Sequence, residues 1–131
     1  MRKLTLFTAL VFSLLVFPST SFADWTKVGK NVDGTTFYVD FERIRKHGGY
    51  VYWWDLSDLL EPDKYGDLSY KMYHQGDCKL FRYKGLSWSY HKEPMGGGTG
   101  VTDSEADKEW IHPTPDSVAE TILKSVCAYA K

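Results

Sequence analysis

Tyr50-Val51-Tyr52-Trp53-Trp54-Asp55-Leu56-Ser57-Asp58-Leu59-Leu60 is the most strongly patterned stretch of this 131-residue chain. Aromatic and β-branched side chains crowd it, as they do on a pleated and largely buried surface. Glu61-Pro62-Asp63 stops it, because proline has no N–H to give a ladder. With a period of two, Tyr50, Tyr52, Trp54 and Leu56 share one face and Val51 and Trp53 the other, so the strand is expected to be covered on both sides. The same period separates Asp55 from Asp58, which therefore do not form a carboxylate pair.

Working outward, the flanking segments also read as strands. Thr35 to Phe41 alternates, with Phe37, Val39 and Phe41 on one side. The Asn31-Val32-Asp33-Gly34 turn ties it to a strand over Trp25 to Val28 as a hairpin. Lys46-His47-Gly48-Gly49 reads as a turn. Downstream, Leu68 to Gln75 and Cys78 to Tyr90 form a second hairpin about a Gly76-Asp77 turn, and Gly85 marks a bulge in the longer strand. His91 to Gly100 is a glycine-bearing loop. Short strands are expected near Thr99 to Thr102 and Trp110 to His112, with an exposed acidic connection between them.

The period then changes. Thr114-Pro115 reads as a helix start, and Asp116 follows near the positive end of the helix dipole. Val118, Ala119, Ile122, Leu123, Val126 and Ala130 fall on one helical face, with Cys127 at its edge. The expected fold class is α+β: an antiparallel sheet of five or six strands with one C-terminal helix packed on it.

The start of the chain places it in a compartment. Arg2 and Lys3 precede an apolar run from Leu4 to Phe17, and Ser21-Phe22-Ala23 gives a small-x-small cleavage site. Residues 1–23 read as a signal peptide cut before Asp24, leaving one domain over 24–131. The run is too short for the ~20 residues of a membrane span, and no later segment is apolar enough for one. The expected location is the periplasm or the exterior of a Gram-negative bacterium, without a lipid anchor, since the only cysteines are Cys78 and Cys127. In that compartment the two are expected to pair and tie the helix to the sheet; free or intermolecular thiols are the alternatives.

Charge and motifs exclude several classes. Sixteen Lys and Arg, less the two in the leader, leave fourteen against seventeen Asp and Glu, a net charge of −3. That balance argues against nucleic-acid binding. Gly96-Gly97-Gly98-Thr99-Gly100 lacks the Lys and helix of a phosphate loop. His47, His74, His91 and His112 show no metal-ligand spacing, and Ser87 and Ser89 sit in no nucleophile elbow. No enzyme activity, metal or cofactor is expected.

The aromatic load stands out: five Trp, nine Tyr and three of the seven Phe fall after residue 23. One helix cannot cover a sheet this wide, so an aromatic surface is expected to remain for a protein partner or for self-association. Trp53 and its face-mate Val51 are the candidate partner-binding residues. The rival reading is a periplasmic small-ligand or haem-type binding protein that uses Tyr and His near an aromatic cleft.

The ordered set of motifs resembles the surface-adhesin protein E family. It runs from Trp25 and Phe37-Tyr38-Val39-Asp40 through Ile44 and Trp54-Asp55-Leu56-Ser57-Asp58. Tyr65, Ser69, Lys71, Asp77-Cys78 and Met95-Gly96 follow, then Trp110, the Pro-rich helix start, Ser117 and Cys127. The resemblance implies an antiparallel sheet whose C-terminal helix is held by a disulfide, and an adhesin-like binding role at the cell surface. It supplies no catalytic residue.

Overall fold

The computed structural model describes residues 23–131; the expected signal peptide, but for Ala23, lies outside them. The strands are β1 (Thr26–Lys30), β2 (Thr36–Val39), β3 (Arg45–His47), β4 (Tyr50–Asp58), β5 (Ser69–Asp77), β6 (Arg82–His91) and β7 (Gly100–Asp103). The helix α1 spans Val118–Tyr129. All seven strands join one antiparallel sheet in the order β1-β2-β4-β5-β6-β7, with β3 added on β4.

The strand over residues 50–60 is β4, at the centre. Its second half pairs with β2, Val39 opposite Asp55, and its first half pairs with β3, Tyr52 opposite Arg45. The β3 strand is the addition to the expected five or six. Gly48 and Gly49 alone make its turn, at φ 60° and 85°, which is the left-handed pair that a two-residue hairpin needs. The sequence reading began that turn two residues too early and took Lys46 and His47 of β3 into it.

The second hairpin is displaced in the other direction. Gly76 and Asp77 are strand residues, and the turn is 78–81. Gly76 is small because Trp53 packs on it: a Cβ there would lie 2.7 Å from the indole and 3.1 Å from Leu123. Asp77 holds the turn by accepting from the Lys79 and Leu80 N–H groups and from Arg82 Nε. Burial pushes its carboxyl pKa up, but the Leu80 N–H and the Arg82 contacts outweigh this and hold it below the usual range. The bulge falls where Gly85 announced it, since Tyr73 pairs with Ser87 but His74 with Gly85.

The helix is capped by Ser117, three residues after Thr114; its hydroxyl accepts from the Glu120 N–H, and Glu120 reaches back to the Asp116 N–H. Ile122, Leu123 and Val126 are buried against Val39, Val51 and Trp53. Cys78, in the turn, and Cys127, near the helix end, form the disulfide with Cα atoms 5.8 Å apart. No helix among the described residues is long and apolar enough to cross a membrane.

Candidate functional site

The helix covers one face of the sheet and leaves the other open. The covered face carries Val51 and Trp53, which are 6% and 1% exposed. Both candidate partner-binding residues are therefore core, and the sequence assignment of the two faces of β4 is reversed. The physical reason is size and polarity. Val51 and the indole of Trp53 can be sealed completely, because the indole N–H donates to buried Asp55 at 2.9 Å. The hydroxyls of Tyr50 and Tyr52 need water or a polar neighbour, so their face turns outward. The signal was present in β5, where Lys71, Tyr73 and Gln75 stand on the face opposite to Met72 and His74.

The open face is built by cross-strand register. Tyr38 lies opposite Leu56, Tyr73 opposite Trp54 and Gln75 opposite Tyr52. The rings pack against one another: Trp54 and Tyr73 centroids are 4.9 Å apart and Tyr52 and Tyr73 6.2 Å, while Tyr50 meets Trp110 at 5.4 Å. Gln75 Nε2 donates to the Tyr52 hydroxyl at 3.1 Å. Cations border the row. Arg43 lies over Trp54, and Arg82 and Lys84 lie 4.5 and 4.6 Å from the centre of the Trp110 ring. Arg45 and Lys71 reach the same face, opposite Tyr52 and Leu56.

One end of this face is closed by the glycine loop. Ser69 Oγ donates to the Glu93 carbonyl and accepts from Gly96 N–H, and Asp58 accepts from Met95 N–H. A Cβ on Gly96 would stand 3.2 Å from Leu56, which explains why Leu56 is the buried member of an otherwise half-exposed row. The loop is a plug over Leu56.

A second feature lies on the helix side. A cleft of about 250 Å³ opens between the first half of α1 and the sheet, with Trp53, Asp55, Met72, His74 and Tyr83 in its floor. His74 Nδ1 stands 3.0 Å from Asp55 Oδ2, a close ion pair without an aligned hydrogen bond. The imidazole is stacked on Trp53 at 5.2 Å and meets the edge of Tyr83 at 5.7 Å. Burial disfavours its charge, but the Asp55 carboxylate more than offsets this, and the His74 pKa is raised. Burial likewise raises Tyr83, with Asp55 and Asp107 adding to it. The cleft is smaller than the ~300–1,000 Å³ of pockets for drug-sized ligands. Among the described residues no cluster of three or more His, Cys, Asp or Glu has the arrangement of a metal site.

No curated protein sequence matches the chain. Its fold is that of protein E from Haemophilus influenzae. Crystal form II of that protein superposes with a TM-score of 0.65 at 20% identity, covering 89% of this chain and 98% of the other. A second structure of it gives 0.60 at 19% identity, over 87% and 91%. The protein from non-typeable H. influenzae gives 0.60 at 20%, over 87% and 82%. The sequence profile of surface-adhesin protein E matches residues 25–128, nearly the whole described chain, and the protein belongs to the surface-adhesin protein E family.

Proposed function

We propose that this adhesin-like surface protein is an exported, non-enzymatic binding protein whose helix-free sheet face docks a protein partner. One observation carries the reading. Tyr38, Tyr50, Tyr52, Trp54 and Tyr73 line the face opposite to α1, and each is half-buried. Half-exposed aromatic residues with polar tips give large contact area at small entropic cost, and interfaces are enriched in them. Family membership supports the surface location and the binding role. The internal pairing of the cleft's polar groups fits a structural part for His74 and Asp55.

A photocrosslinking residue tests this when placed at position 73, on the open face, or at 129, exposed on the helix side. The protein is incubated with periplasmic and extracellular-matrix fractions and irradiated. A discrete adduct from position 73 and none from 129 is the expected result. Adducts only from 129 would move the binding surface to the helix side.

A further inference from the structure

We infer that the partner meets the open face through an acidic polypeptide segment. This rests on the reading that the open face is the docking surface, and it names what docks there. The observation is a segregation of charge. The chain after residue 23 is net negative, with fourteen Lys and Arg against seventeen Asp and Glu. The open face nevertheless gathers Lys27, Arg43, Arg45, Lys71, Arg82 and Lys84, opposite or beside Tyr38, Trp54, Tyr52, Leu56, Asp77 and Gln75. Two of its three carboxylates are ion-paired, and Asp40 keeps Oδ1 without a hydrogen-bond partner. Asp40 binds Arg43 at 2.7 Å, Asp77 binds Arg82 at 3.0 Å, and Asp58 accepts from the Met95 N–H at 2.7 Å. Lys27, Arg45, Lys71 and Lys84 have no carboxylate within salt-bridge distance among the described residues. Glu42 and Glu93 stand beyond the ends of β2 and β6. Asp24 lies beside Glu42; Asp103, Glu105, Asp107 and Glu109 belong to the 103–109 connection, and Asp116 and Glu120 to the start of α1.

Ring geometry separates a polypeptide from other polyanions. Bases, and sugar rings likewise, dock flat on an open aromatic face. Here the middle of the row is packed ring on ring: Tyr73 lies against both Trp54 and Tyr52. The row also carries tyrosine hydroxyls, which can donate hydrogen bonds. Hydroxyl donors and Arg or Lys heads spaced along strands suit carboxylates on an extended chain. Arg45 can hold one in its planar fork.

The test titrates a Glu dodecapeptide into the isotope-labelled exported protein and follows backbone amide shifts. A Gln dodecapeptide, a heparin dodecasaccharide and dT dodecanucleotide are titrated in parallel. The Glu peptide is expected to shift β4, β5 and β6 amides around Tyr52, Tyr73 and Lys84, with affinity falling as salt rises. Lys71→Glu with Lys84→Glu should weaken it by at least about tenfold, since like charges are then juxtaposed; Arg45→Glu serves if that pair misfolds, and Lys124→Glu on the helix should change nothing. Equal binding of the Gln peptide, shifts confined to the helix side, or tighter binding of heparin or dT would overturn the inference. If the position-73 adduct survives in Lys71→Glu/Lys84→Glu, acidic recognition falls while the docking face stands. If wild type gives no position-73 adduct, both fall.

Discussion

At the level of single residues, the buried His74–Asp55 pair contributes a pH response of its own. Its folded pKa lies above the ordinary 6.5. The stability it contributes is therefore complete below about pH 6.5 and is lost as pH rises through the higher folded value. Unfolding free energy should fall across that window, and His74→Gln should flatten the profile; a pH series of denaturant melts reads both. Asp55→Ala removes the partner that keeps the buried His74 protonated and leaves the Trp53 indole N–H without its acceptor, and should cost about 1–3 kcal/mol. The two sides of β4 should differ as sharply. Trp53→Ala opens the core, at about 3–5 kcal/mol, whereas Tyr73→Ala on the open face should cost about 1 kcal/mol or less. Residue-level roles were the least legible in the sequence. Alternation showed that Trp53 and Trp54 oppose each other, but which one the helix would cover depends on β2, β5 and α1 together. Gly76 looked like a turn glycine because the ring that requires it lies 23 residues earlier in the chain.

At the level of elements, the sequence was far more informative. Hairpin β1–β2, strand β4, the bulge beside Gly85 and the buried stripe of α1 all follow from local patterns that agree with their neighbours. The missing strand, β3, is three exposed polar residues, Arg45, Lys46 and His47. Nothing in their composition asks for a sheet, and they are held there by the Gly48-Gly49 turn and the edge of β4. The helix is the element on which the core depends. Truncation before Pro113 would expose Val39, Val51 and Trp53 together; the product should be insoluble or lack a cooperative melt. Ser117→Ala tests its start more gently and should cost about 0.5–2 kcal/mol in thermal melts.

For the whole molecule, the asymmetry between a sealed face and an open face was legible only as a surplus of aromatic residues. Their placement needed the register of six strands. The disulfide is the one covalent link between the helix and the sheet, and removing it through Cys127→Ser should cost about 2–5 kcal/mol. It has another consequence. The bond joins Cys78 to Cys127, so the loops at 92–99 and 104–117 lie within the ring that it closes. A protease that cuts either loop divides the chain but not the molecule. Such a nicked protein should run as one band without reductant and as two with it, and it should keep its melting transition only in the first condition. Outside the cytoplasm, where peptidases are plentiful and resynthesis in place is impossible, the ring lets a severed chain go on holding its own sheet.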